Sequence, residues 1–252
     1  IHNGIIVASG TSVQAGDTVV RIDMQGRFIY PAFVEPISHF GMPEKSPSPT
    51  KPDYESTRPG SYGWNDALRC EQSAASALHY SDESAARYRK AGYACVQTHV
   101  PDGISRGSAC VVQLYPANEN ELVLNAASSH VLHFDKGSSS QFYPSSLMGS
   151  IALLRQTFLD GIQYEQAIRP REHNLSLEHW RTLQSLPQLF VAGSPHNLLR
   201  ASSLLSEFGI RGMLVGDGRE YQRADAIRRT GQRIIVPLDF PEPYDVEDPL
   251  DA

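Results

Sequence analysis

The residues able to do chemistry sit just after short apolar runs. His39 closes the run Phe33-Val-Glu-Pro-Ile-Ser-His39, and His99 and Asp102 follow Tyr93-Ala-Cys-Val-Gln-Thr98 within His-Val-Pro-Asp-Gly. Asp217 follows Gly212-Met-Leu-Val215, and Asp239 follows Ile234-Ile-Val-Pro-Leu238. Imidazoles and carboxylates at the ends of parallel strands can converge on a divalent metal, which lowers the pKa of a bound water and polarises a carbonyl. If His39, His99, Asp217 and Asp239 converge, the chain is itself a metallohydrolase. Each also has a plain structural reading. His39 alone lacks the three or four partners that zinc takes. His-Val-Pro-Asp-Gly and Asp217-Gly218 are ordinary turn sequences.

Other candidates are weaker. His130 and His133 fall on opposite faces if their segment is a strand, so they share no metal there. Gly137-Ser-Ser-Ser140 lacks the Gly-x-Ser-x-Gly pattern of a serine nucleophile. Cys95 and Cys110 lie on expected strands and read as buried, inert thiols. With Cys70 they make three cysteines and no Cys-x-x-Cys pair, too few for a disulfide framework or a zinc knuckle. Asn174-Leu-Ser176 is a glycosylation sequon, but Ser176 as a helix cap explains it as well.

Composition bounds the classes. The 252 residues are 40% hydrophobic and 20% charged, enough for one large domain with a real core and not a disordered chain. A net charge of −6 argues against a nucleic-acid partner. The longest uncharged run, Gly137 to Leu154, is rich in serine and holds a proline, so no membrane span is expected. The chain starts at Ile1 with no leader-like segment and closes on a proline- and aspartate-rich stretch. We expect an internal piece of a longer polypeptide, with the compartment unreadable from the residues.

The elements that must position these residues follow from periodicity. Residues 1–30 read as short strands joined by glycine turns. Phe33-Val34 reads as a short buried strand. Residues 41–65, rich in proline and glycine, read as a long surface loop. Ser81-Asp82-Glu83 opens a helix that basic residues close near Lys90, and Tyr93–Thr98 is a strand. Ala109–Tyr115 and Glu121–Leu124 read as a strand pair, and Val131–Phe134 as another strand. Leu147, Ile151, Leu154, Phe158 and Ile162 recur at helical spacing from Pro144 to about Tyr164, with Met148, Leu154 and Phe158 expected in the core. A helix capped by Ser176 follows. Strands at 189–192, 212–215 and 233–236 then alternate with helices at 197–208 and 219–229. That alternation is the pattern of parallel β/α units, and with no Gly-x-Gly-x-x-Gly or Walker sequence it favours a barrel over a nucleotide fold.

These same residues resemble the amidohydrolase superfamily, nearest its imidazolonepropionase-like branch. The resemblance rests on Gly4-Ile-Ile-Val-Ala-Ser-Gly10, Ala15-Gly16 and Val20-Arg-Ile-Asp-Met-Gln-Gly-Arg-Phe-Ile-Tyr-Pro31, then on Phe33–His39 and Gly92–Thr98. It continues through Leu189–Ala192, Glu207–Val215 and Ile234–Leu238. The stretch Tyr143-Pro-Ser-Ser-Leu-Met-Gly-Ser-Ile-Ala-Leu-Leu-Arg-Gln-Thr-Phe-Leu-Asp160 resembles more narrowly long exported proteins of Bacteroidetes type that carry two such units in tandem.

The resemblance implies an incomplete (β/α)8 TIM-type barrel over residues 31–252, lacking its last strand, and part of a small β-sandwich over residues 1–30. It also implies metal-dependent hydrolysis of carbon–nitrogen, amide-type bonds by the parent, and a periplasmic or exported location. The ligand pattern departs from the superfamily. The first His of its His-x-His falls on Ile37 and only the second, His39, remains. The strand-five His falls on Ala192, and the strand-six His on or near Gly216, beside Asp217. The strand-four ligand has no match, and the strand-eight Asp would lie past Ala252.

We therefore expect no metal in this segment, with a zinc-like divalent metal held by the rest of the parent. His39 is then a lone remnant, and His99, Asp102, Asp217 and Asp239 are mouth-facing candidates. The expected partners are the remainder of the parent chain and a second copy. The alternative is a non-catalytic binding or interface module. An open barrel exposes two strand edges, so the segment should be unstable or associated when isolated.

Overall fold

The computed structural model describes residues 1–2, 5–14, 16, 19–44, 51–55, 65–116, 119–166 and 173–238. Contacts divide the chain into Ile1–Pro31 and Ala32–Ala252. Among its described residues the first unit holds an isolated His2–Ile5 bridge and no named strand. Ile5, Ile6, Val7, Phe28 and Ile29 are exposed there. Most of the expected 41–65 loop lies outside the described residues, as does Asp239.

The second unit is a nearly closed, barrel-like sheet of seven strands in the order β1-β2-β3-β4-β5-β6-β7. The strands are β1 Phe33–Ser38, β2 Tyr93–Thr98, β3 Ser105–Gln113, β4 Val123–His133, β5 Gln188–Gly193, β6 Met213–Gly216 and β7 Arg233–Ile235. The helices are α1 Ala74–Ala77, α2 Asp82–Lys90, α3 Glu119–Leu122, α4 Leu147–Gln166, α5 Leu175–Gln184, α6 Pro195–Glu207 and α7 Ala224–Arg229, with a 3-10 turn at Glu220–Arg223.

The helices form where caps and periodicity agree. Ser81 accepts a hydrogen bond from Ser84 N and starts α2, and Asp82 and Glu83 fill its first turn. Asn174, not Ser176, caps α5 by accepting from Leu177 N at 3.0 Å, so Ser176 is the second residue of the helix and is buried. Ser194 caps α6, with Pro195 at its first helical position.

The sheet is mixed, which corrects the wholly parallel expectation. β1 pairs parallel with β2, and β4 through β7 pair parallel in turn, but β3 runs antiparallel to both β2 and β4. The cause is chain length. Only residues 99–104 separate β2 from β3, and a parallel return needs a crossover of a dozen residues or more. The expected strands at 121–124 and 131–134 are also different. Residues 119–122 form α3, and a single long β4 follows, because no glycine or proline interrupts residues 123–133.

Alternation along the strands separates two apolar layers. Leu132, Phe190 and Leu214 point outward to meet Leu154, Phe158, Trp180, Leu198 and Leu205 of the helices. Ala109, Val131, Leu189 and Val215 point inward, with Ile37, Val191, Met213 and Ile235 packed on them. Phe33 and Val34 are 66% and 58% exposed, so that end of β1 is not buried as expected: β1 is an edge strand with no neighbour on its outer side among the described residues. Met148 faces solvent, while Leu154 and Phe158 take the core positions.

Candidate functional site at the strand ends

The parallel pairing of β1 with β2 sets Ser38 opposite Thr98, so the next residues, His39 and His99, emerge side by side. Their rings meet edge to face, with centroids 4.8 Å apart. Ser38 fixes this corner by donating its hydroxyl to Gln97 O at 2.9 Å. Thr98 donates to Phe40 O at 2.9 Å.

The antiparallel β3 starts at this same end and brings a cation to the pair. Arg106 donates from Nη1 to His99 Nε2 at 3.2 Å and from Nε to Gly103 O at 3.2 Å. Arg106 is only 6% exposed and His99 1%. A guanidinium always donates, so His99 Nε2 must be the acceptor and its ring is neutral. Burial, then the Arg106 charge, then the His39 and His133 rings push the His99 pKa down to about 2, against a backbone hydrogen bond with Ser38 that favours protonation. His39, exposed on its outer side, is also held below the usual histidine range, by desolvation of its packed side and by Arg106. Burial lowers Arg106 to about 10, opposed by Asp135 and Asp102, so it stays charged at neutral pH.

His133 ends β4 two residues beyond the inward Val131, so it points to the same interior as the other two imidazoles. Its Nδ1 accepts from Asp135 N at 2.7 Å. His130 faces the other way, into the helix layer. Its Nε2 meets Ser105 Oγ at 2.9 Å, its Nδ1 meets Gln188 Oε1 at 2.8 Å, and Trp180 packs edge-on against its ring. Burial lowers its pKa to about 4.

The two aspartates are placed apart from the imidazoles. Asp102 is a brace: it accepts from Arg69 Nη1 at 2.7 Å, Ser138 N at 2.7 Å and Ser138 Oγ at 2.6 Å. Gly137 makes this wrap possible, since its φ is +69° and a Cβ there would overlap the Asp102 carboxylate. Asp217 turns onto its own loop, accepting from Arg219 N at 3.1 Å and Arg219 Nη2 at 2.9 Å. The structure thus brings His39 and His99 together and adds His133, which the sequence offered only as half of a pair with His130, and Arg106, which the sequence pattern did not single out. Two signals carry them: the short β2–β3 link, which returns Arg106 to His99, and the strand alternation, which splits His133 from His130.

This donor set does not fit a divalent metal. The lone pair of His99 Nε2 is taken by a donor, and that donor is itself a cation. Among the described residues no group of three or more His, Cys, Asp or Glu side chains could hold a metal ion. Ile37 lies in the apolar interior, and Ala192 in the helix-facing layer. The site can present fixed N–H donors and positive charge at the strand ends, next to the neutral rings of His39 and His99.

An amidohydrolase from Thermotoga maritima MSB8 superposes on the chain with a TM-score of 0.68 at 16% sequence identity, over 94% of this chain. The chain has an amidohydrolase fold. It spans 64% of the length of that structure. No family model matches it, and no curated protein does. Among the described residues no helix is long and apolar enough to cross a membrane.

Proposed function

We propose that the chain is one barrel unit of a longer amidohydrolase-superfamily protein and that this unit has lost its own metal site. The observation that carries the reading is Arg106. A buried guanidinium stands against His99 where converging metal ligands would be needed, and like charge excludes a second cation there. Hydrolysis of carbon–nitrogen, amide-type bonds, with a zinc-like metal, then belongs to the rest of the parent. The imidazolonepropionase-like ancestry, the tandem arrangement, the partial N-terminal β-sandwich and an exported location belong to the same reading. They rest on the sequence resemblance. A non-catalytic interface role is favoured by a separate observation, the apolar groove between the two edge strands.

Elemental analysis tests the loss. After gel filtration in metal-free buffer, the chain should carry far less than one equivalent of zinc, manganese or iron. Near-stoichiometric metal that disappears in His39→Ala would overturn the reading.

A further inference from the structure

Arg106 carries a charge that its surroundings do not balance. Its Nε is held by Gly103 O and its Nη1 by His99 Nε2, and both acceptors are neutral. Nη2 makes no hydrogen bond among the described residues, and it is not one of the polar atoms sealed from solvent. The side chain is 6% exposed and still charged at neutral pH. Among the described residues no carboxylate forms an ion pair with it. Asp102 and Asp135 act on it at longer range. Asp102 is taken by Arg69 and Ser138, and Asp135 accepts from Gly137 N at 3.0 Å.

A buried guanidinium without a counter-ion is costly, because taking the charge out of water is repaid only by a close partner. The surroundings select that partner. The rings of His39 and His99 are neutral, so one guanidinium balances one negative charge. A phosphate dianion would bring an excess charge toward Asp135. The guanidinium fork matches a planar pair of oxygens, which a single-atom anion such as chloride does not offer. His39 is exposed beside His99, so this corner lies at the surface of the barrel and not in its core.

We propose that the corner of Arg106, His39 and His99 is an anion site that takes one monoanionic carboxylate, which accepts from Arg106 Nη2. The site would then bind negative charge at the strand ends, where a metal centre holds positive charge. This rests on the lost-metal reading above.

Titration of the native full chain tests it. Formate and acetate are added at pH 7.5 and constant ionic strength, and the arginine Nε–H and histidine ring signals are followed by NMR. A ligand of three or four heavy atoms binds at about millimolar at best, so the titration runs to about a hundred times that. One saturable site should appear, moving the Arg106 and His39 signals together and binding at least about tenfold more tightly than chloride or inorganic phosphate. Arg106→Lys keeps the charge and loses the fork, and should weaken acetate by about tenfold or more. A capped acidic peptide, run beside acetate, separates a polypeptide side chain from a free small ligand; Arg106-dependent binding of either bears the site out. If Arg106→Lys fails to fold, the anion selectivity of the native chain decides alone. No saturable binding, phosphate or chloride binding as tightly as acetate, or acetate binding unchanged in a folded Arg106→Lys would each overturn the proposal. Metal content of the same sample separates the two readings. A metal-free chain that binds no carboxylate overturns this site alone, whereas stoichiometric metal overturns the reading beneath it.

Discussion

Arg106 decides what the imidazoles at the strand ends can be. Its removal should leave His99 Nε2 and Gly103 O without their donor, and burying unsatisfied groups costs about 1–3 kcal/mol. Burial is the largest cause of the low His99 pKa and the Arg106 charge the second. Arg106→Met should therefore raise the pKa of both His39 and His99, with His99 still well below an ordinary histidine. Long-range nitrogen–proton NMR of the two rings reads this directly. An unchanged His99 would mean that the guanidinium does not set its protonation. Half of this cluster was legible from residue order alone. His39 and His99 each follow an apolar run, which marks a strand end. Arg106 was not legible as a site residue because the expected strand of the 109–115 and 121–124 pair begins after it, whereas β3 starts at Ser105, and His133 was set aside with His130 as a pair. Asp102 and Asp217 lie in the links after β2 and β6, and their carboxylates serve Arg69, Ser138 and Arg219, partners that a one-dimensional spacing does not show.

Among the elements, the α4–α5 contact has a testable sign. Trp180 of α5 packs with ring centroids 4.9 Å from Phe158 and 5.1 Å from His130. Gly161 on α4 lets it in: a Cβ there would stand 2.7 Å from Trp180 Cδ1 and 2.9 Å from Nε1. Helix propensity alone makes Gly161→Ala stabilising by about 1 kcal/mol. Overpacking of a fixed indole costs about 1–3 kcal/mol, and Trp180 is 1% exposed with rings on two sides. Gly161→Ala should lower the urea midpoint, and a raised midpoint would show that the helices separate freely. Periodicity found α4, because Leu147, Ile151, Leu154 and Phe158 share its inner face, but it gave no hint that Gly161 was a contact. It also overran at Met148 and Ile162, which stand on the solvent side of the same helix. The strands were legible where turn residues bound them, as at β5, β6 and β7. β3 and β4 were not, since their direction and length follow from how far the chain can reach.

At the scale of the whole molecule, three histidines held toward the neutral form tie stability to pH. The direction follows from which state binds more protons. In the unfolded chain a histidine titrates near 6.5, whereas in the folded chain His130 waits until about 4 and His99 until about 2, and His39 is also lowered. Below pH 6.5 the unfolded state therefore holds more protons, and stability falls as pH falls. The contribution is complete above that pH. It is lost through the window down to about 4 for His130 and about 2 for His99. At pH 5 each of these two buried rings should have cost the fold about 2 kcal/mol, out of a total that for domains is about 5–15 kcal/mol. Urea unfolding at pH 7.5 and 5 should show a clear loss of stability for the native chain. His130→Gln, which keeps a donor and an acceptor between Ser105 and Gln188 but cannot take up the proton, should shed about half of that loss. Equal midpoints at the two pH values would show that the imidazoles are not held neutral. A loss undiminished in His130→Gln would move the effect to His39 and His99 at the open end of the barrel.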